Sequence, residues 1–323
     1  MDYRKIAEEN QILKVRVGSH LFGTDMPESD TDYEGIFMPS DELVFGFGHC
    51  REVDLGLICK DETGRNTSDA IDYKVREYRD FCRLALQNNP NILNIIFAND
   101  ENVIFCNEFG NRLRSMAGLF PHKGCIQRYK GYAISQMKKM TIKPMNYELL
   151  KEAVEFLQAC DYSDILIDVI KKRGILYGNS LNPFKDLGPG KHIQVGDIFL
   201  ERGLKVSRAL SIIRGRLDRA SIRAEMWEKH GYDLKFSANL IQILMQGIEL
   251  VKTGRLTFPL EDAGTILSIK NGEYTIGDIN EMASRLEEEI SVAEDDSSLP
   301  SKPRYEEIER LVIMEMRRWF DEN

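Results

Sequence analysis

Gly18-Ser19-His20-Leu21-Phe22-Gly23, followed by Pro27-Glu28-Ser29-Asp30-Thr31-Asp32, decides the fold, because it joins a seat for phosphate to a pair of carboxylates suited to a metal. Upstream, Leu13-Lys14-Val15-Arg16-Val17 alternates apolar and basic residues with a period of two, which predicts a half-buried strand running straight into Gly18-Ser19. Glycine lets the backbone turn tightly toward an anion, and the serine hydroxyl adds a donor. A helix starting at Leu21 would aim its first amides at the same anion. Gly18, Ser19, His20 and Gly23 are therefore the expected contacts for a triphosphate.

The segment from Asp30 continues as Asp32-Tyr33-Glu34-Gly35-Ile36-Phe37-Met38. If it is a strand, residues two apart share a face, so Asp30 and Asp32 point the same way. Like charges that close repel, and a divalent cation relieves the repulsion. Two-metal phosphoryl transfer needs a further carboxylate, for which Asp72 in Ala70-Ile71-Asp72-Tyr73-Lys74-Val75 is the expected source, on a neighbouring strand. Asp54, Asp61, Glu62 and Asp69 are nearby acids that remain open as alternatives. In this arrangement Asp30 and Asp32 hold magnesium on the nucleotide phosphates, while Asp72 helps to activate the attacking hydroxyl. Glu34 shares the face of Asp32 but is expected to be a solvent-facing strand residue. Asp30-x-Asp32-x-Glu34-Gly35 also matches the first half of a calcium-binding loop. Asp41 in place of the bidentate glutamate, an interrupting Pro39 and a strand-like preceding segment argue against that reading.

The order apolar-Gly-Ser, Asp-x-Asp, then an apolar-Asp-apolar strand resembles the DNA polymerase β-type nucleotidyltransferase superfamily. Within it, Gly18-Ser19-x-x-x-Gly23-Thr24 with Pro27-Glu28-Ser29-Asp30-x-Asp32 is similar to the predicted nucleotidyltransferases named for a bacterial RNA-repair pathway. The resemblance extends to Phe81 through Leu93 with its Asn-Pro turn, and to Gly131-Tyr132-Ala133 with Gln136. It also takes in Gly231-Tyr232-Asp233-x-Lys235 and Leu240-Ile241 through Thr253-Gly254. His20 stands where the family often has arginine. The resemblance implies an α+β fold, a small mixed-sheet polymerase-β-type core followed by a mostly helical C-terminal domain. It implies two Mg2+ or Mn2+ ions held by Asp30, Asp32 and Asp72, a nucleoside triphosphate as substrate, Lys235 lining the nucleotide cleft, and an RNA 3′ end as acceptor. Transfer onto a protein or small molecule is an alternative, as is a non-catalytic nucleotide-sensing or antitoxin-like module.

Composition sets the frame. The 323 residues are 42% hydrophobic, enough for a sizeable core, and no apolar run approaches a membrane span. No signal-peptide core follows Met1-Asp2-Tyr3-Arg4-Lys5 and no Cys-x-x-Cys pair occurs among the six cysteines, so a cytoplasmic protein with reduced thiols, no membrane partner and no zinc site is expected. Net charge is −9, yet six Lys and Arg lie between Lys123 and Lys143 without one acid. Arg128, Lys130, Lys138 and Lys139, with Tyr129 and Tyr132 interleaved, are the expected nucleic-acid contacts; Arg202 to Arg223 forms a second basic stretch.

Patterning predicts a mixed core over residues 1–112 and a helical domain over 113–323. Helices are expected at Leu149 to Cys160, Asp164 to Lys172, Val206 to His230, Phe236 to Lys252 and Tyr305 to Trp319. A loop, hinge or insertion is expected at 178–196, where glycine, asparagine and proline cluster.

Overall fold

Asp2 opens the chain by capping the first helix, α1 (Tyr3–Glu9), its carboxylate accepting from the amides of Arg4 and Lys5, both at 3.1 Å. The computed structural model describes residues 2–27, 29–57, 71–172, 183–221 and 224–322. The alternating stretch after α1 is a strand, β1 (Gln11–Val17), which enters a five-residue helix, α2 (Gly18–Phe22). Then come β2 (Thr31–Phe37), α3 (Asp41–Val44), β3 (Glu52–Asp54) and β4 (Ile71–Glu77). With β5 (Val103–Cys106) they form a five-stranded mixed sheet in the order β3-β4-β2-β1-β5. Only β2 and β4 pair in parallel among these. Asp61, Glu62, Asp69 and Cys59 lie outside the described residues.

Glu77 ends β4 and caps α4 (Tyr78–Ala85), accepting from the amides of Arg79 and Asp80. The Asn-Pro turn predicted beyond it is a second cap: Asn89 accepts from the Asn91 amide, and Pro90 takes the first position of α5 (Pro90–Ile96), where its missing N–H costs nothing. One sheet face, with Phe37, Tyr73 and Val75, is closed by Ala7 and Ile6 of α1. Ile12, Leu13, Val15, Ile36, Phe81 and Leu93 are wholly or almost wholly buried, so truncating any of them to alanine removes about 2–5 kcal/mol. After α6 (Glu108–Ser115) the chain is almost entirely helical up to α8: α7 (Cys125–Gln158), then α8 (Leu166–Lys172).

A second, three-stranded antiparallel sheet follows, β6 (Lys185–Asp186), β7 (His192–Val195) and β8 (Ile198–Glu201), where a loop or hinge was expected. Of the predicted 178–196 segment, residues 178–182 lie outside the described residues. The predicted helix from Val206 to His230 is helical over its described residues, α9 (Val206–Ser221) and α10 (Ala224–His230), with 222 and 223 outside them. The last four are α11 (Leu234–Thr253), α12 (Ala263–Lys270), α13 (Ile276–Asp296) and α14 (Tyr305–Glu322). Fold class agrees with expectation: a mixed N-terminal sheet precedes a mostly helical C-terminal part.

Residue 112, the expected end of the first domain, lies inside α6, and the chain forms two compact units. One unit comprises Met1–Ala133, Leu240–Ile269 and Asn280–Asn323, and the other Ile134–Asn239 and Lys270–Ile279. The first therefore recruits late helices, as when Arg112 Nε donates to Glu315 Oε2 at 2.7 Å. The second has its own core, in which Leu150, Leu157, Val169, Ile193, Leu200 and Ile213 pack together. No helix among the described residues is long and apolar enough to cross a membrane, and the five described cysteines are free.

Candidate active site

Gly18 sits in the left-handed region (φ +67°) at the junction of β1 and α2, a conformation that costs other L-residues about 1–2 kcal/mol. It also has no room for a side chain: a Cβ there would lie 2.7 Å from Asp32 Oδ2. The carboxylate of Asp32 thus lies against the backbone of the glycine-serine turn. Two registers bring this about, the antiparallel pair Val17 with Asp32 and the parallel pair Asp32 with Asp72. Neighbouring strands run about 4.8 Å apart and paired residues face the same way, so turn, Asp32 and Asp72 form one row across the sheet.

Asp32 is half-buried and Asp72 exposed. Asp30 is exposed and lies just before the first residue of β2, so strand alternation does not fix its direction. Hard oxygen donors side by side with like charge suit a magnesium or manganese ion. Among the described residues, no set of three His, Cys, Asp or Glu side chains is already gathered as a metal cage. The Asp32 and Asp72 pair fits a divalent ion, and Asp30 is the adjacent carboxylate able to join it.

The other residues expected around the phosphates differ in what holds them. The Ser19 carbonyl accepts from the Thr24 amide at 2.9 Å. The His20 ring faces Asp25, Nδ1 to Oδ2 at 3.4 Å. Gly23 (φ +69°) ends α2, and a Cβ there would meet Pro259 at 2.7 Å, so packing accounts for this glycine. Leu260 N donates to the Phe22 carbonyl at 3.1 Å, and the rings of Phe22 and Phe258 lie 5.9 Å apart. Residues 258–260 therefore brace the turn, a contact between distant parts of the chain that no local pattern announces.

Glu34 corrects an expectation. It is half-buried rather than solvent-facing, Oε2 is sealed from water without a hydrogen-bond partner, and burial pushes its carboxyl up to about 7. The Arg76 guanidinium beside it works against that rise, Glu52 adds to it, Lys74 opposes it and Asp72 adds to it. On the reverse face, Lys14 Nζ lies 4.4 and 4.2 Å from the ring centres of Tyr33 and Tyr73, and partial burial lowers its pKa.

Lys235 belongs to the other compact unit, exposed in the first turn of α11. Its neighbours have structural tasks. Asp233, fully buried, caps α11 by accepting from the amides of Lys235 (3.0 Å) and Phe236 (3.3 Å), and also accepts from Trp227 Nε1 at 3.1 Å. The Asp233 amide donates to the Met140 carbonyl at 3.0 Å. That carbonyl would otherwise bond the amide of residue 144, which is proline and has none. The Tyr232 hydroxyl donates to the Tyr274 carbonyl at 2.6 Å.

The basic stretch of α7 also divides. Arg128 Nε donates to the Gln87 carbonyl (3.0 Å), Lys130 Nζ donates to Ser291 Oγ (2.5 Å), and Tyr129 is fully buried rather than available for stacking. Lys138 and Lys139 are exposed, with Lys139 Nζ 5.7 Å from the ring centre of Phe236. In the second stretch, Arg202 pairs with Asp186 and Arg216 with Asp197, while Arg223 lies outside the described residues.

Over 306 residues the chain is 24% identical to an uncharacterized 38.9 kDa protein in the nrdC-mobD intergenic region of Enterobacteria phage T4, covering 89% of this chain and 90% of the phage protein. No solved structure matches. Residues 3–157, which carry the glycine-serine turn and all three candidate carboxylates, match the RNA repair pathway DNA polymerase beta family.

Proposed function

We propose that this protein transfers a nucleoside monophosphate from a nucleoside triphosphate to the 3′ hydroxyl of an RNA, releasing pyrophosphate. The observation that carries this reading is the row formed by the Gly18-Ser19 turn, Asp32 and Asp72, with the Asp32 carboxylate against the turn itself. Asp30, Asp32 and Asp72 would hold two divalent ions. When bound, such ions neutralise phosphate charge and make an attached hydroxyl more acidic.

The remaining work belongs to the chain. Backbone amides at Gly18 and Ser19, with the serine hydroxyl, orient the triphosphate so that the α-phosphorus faces the acceptor in line with departing pyrophosphate. Asp72, the exposed member of the pair, receives the proton of the attacking hydroxyl, and Asp32, held by the turn, fixes the register between phosphate and acceptor. The match to an RNA repair pathway family and the exposed cations Lys138 and Lys139 support an RNA acceptor.

The test is incubation with each labelled nucleoside triphosphate and magnesium, with and without a pool of small structured RNAs, for the wild type and Asp32→Asn. Label on RNA that disappears in the variant is the expected result. Label on polypeptide would reassign the acceptor, and nucleotide binding without any transfer would overturn the reading.

A further inference from the structure

The small sheet of the second unit presents a polar and aromatic row on its outward face, in which Gln194 Nε2 donates to the Gly196 carbonyl at 3.0 Å and leaves its side-chain oxygen as an acceptor. Register pairs Lys185 with Gln194 and Gln194 with Phe199, so these three lie side by side on one face. Ile193, Val195 and Leu200 point from the other face into the core. Phe199 is 59% exposed, a large aromatic side chain that burial would ordinarily claim. Beside the row lies a groove of about 480 Å³, lined by Ile142, Met145, Asn146 and Leu149 of α7 with Pro183, Lys185, Gln194, Gly196 and Asp197.

The charge around this face is mostly positive. Helical steps of about 100° per residue set Lys138 and Lys139 on either side of the line running from Ile142 to Leu149, one turn earlier. No acidic residue occurs from Lys123 to Tyr147. Lys185 and Lys191 are exposed on the sheet side. Asp197 on the groove is paired with Arg216 at 2.6 Å, and Glu201, opposite His192 at the edge of the row, is the remaining acid on that face. Ile142 and Met145 are 41% and 57% exposed.

We propose that this face, the Lys185-Gln194-Phe199 row with the α7 groove, binds unpaired nucleotides of single-stranded RNA. An exposed aromatic on a sheet surface stacks a base regardless of sequence, the Gln194 side-chain oxygen accepts from a base edge, and separate lysines follow the phosphates. The apolar groove accommodates a second base face. An acidic peptide would use the lysines but leave the aromatic and amide row unexplained, and a second copy of this chain would oppose its own cations. The inference rests on the RNA-acceptor reading above, yet concerns binding rather than chemistry.

The experiment uses full-length protein and a fluorescein-labelled single-stranded RNA of mixed sequence, followed by anisotropy across a salt series, with a duplex of equal length for comparison. Phe199→Ala should weaken single-strand binding about tenfold, as loss of one base stack does. Lys185→Gln and Lys138→Gln should each lower the slope of log affinity against log salt by roughly one. Asp32→Asn should bind the RNA like the wild type while failing in transfer. Since Phe199 and Lys185 are exposed, these substitutions leave folding intact, which unchanged thermal melts would verify. Wild-type affinity in both sheet variants would overturn the proposal while leaving nucleotidyl transfer standing. So would absence of single-strand binding, a preference for duplex, or self-association that Phe199→Ala abolishes in sedimentation.

Discussion

Gly18 to Asp32 with Asp72, and Gly231 to Lys235, are both stretches that the family resemblance singles out, yet they use their polar groups in opposite ways. Asp233 is fully buried and spends its carboxylate on two backbone amides and an indole N–H, and its own amide on a carbonyl that Pro144 leaves bare. Asp32 is half-buried beside another carboxylate, against a turn whose glycine has no room for a side chain. One aspartate lowers the energy of the fold. The other stands at the glycine-serine turn in register with a second carboxylate, a placement suited to a divalent cation.

The largest effect that could break this contrast is at the paired carboxylates. Asp32→Asn or Asp72→Asn should reduce transfer on the order of a thousandfold, the scale of losing a preorganised electrostatic partner. For Asp72→Asn, at an exposed position, the melting temperature should change little. Asp233→Ala should do the reverse. Loss of the helix cap together with an unsatisfied buried indole N–H costs about 2–4 kcal/mol, read as a lower melting temperature, with KM for the nucleotide unchanged in the folded fraction. If Asp233→Ala raised KM without loss of stability, the contrast would fail.

Gly18→Ala lies between the two. The positive φ costs about 1–2 kcal/mol, but the new methyl must also displace the Asp32 carboxylate, 2.7 Å away. Activity should therefore fall further than stability, whereas Gly23→Ala, which meets Pro259 instead, should lose the two in closer proportion. Comparing kcat/KM with melting temperature for the pair separates a residue that shapes the site from one that braces it.

Glu34 sharpens the comparison through pH. Its carboxyl is held near 7 in the folded chain against an ordinary 4.5, so between those values the folded state binds more protons than the unfolded one. Stability should then fall as pH rises through this window, by roughly 2 kcal/mol at most once residual solvent screening is allowed for. Glu34→Gln, which carries no charge at any pH, should lack the slope and be the more stable protein at pH 8. Denaturant midpoints of metal-free protein at pH 4.5 and pH 8 would read this, and parallel curves for the two proteins would remove the argument.

How much was legible follows from how local each signal is. The strands around Gly18, Asp32 and Asp72 declare themselves by alternation, and the Asn89-Pro90 helix start by its capping chemistry, because these depend on neighbours in sequence. The β6-β7-β8 sheet does not: two to four residues per strand establish no period, and its pairing partners lie several residues apart. Glu34 carries the polar label of a surface residue, and its burial depends on what the adjacent strands and helices bring over it. The brace at residues 258–260 and the recruitment of α14 into the first unit are contacts across most of the chain, which no window of sequence contains.

The smallest test lies within a single helix. In α7, Arg128 Nε donates to the Gln87 carbonyl and the half-buried Lys130 to Ser291 Oγ, whereas Lys138 is exposed. All three were equal as sequence, cations in a stretch without acids. If commitment inside the fold separates structural from functional polar groups here as it does for Asp233 and Asp32, Lys130→Gln should change RNA affinity less than about twofold, an exposed-site effect within 0.5 kcal/mol. Lys138→Gln should cost more and take roughly one unit from the salt slope. Equal losses at both positions would mean that the whole helix face meets RNA and that Lys130 leaves Ser291 to do so, in which case a hydrogen bond at a protein surface is too weak a commitment to sort function from structure.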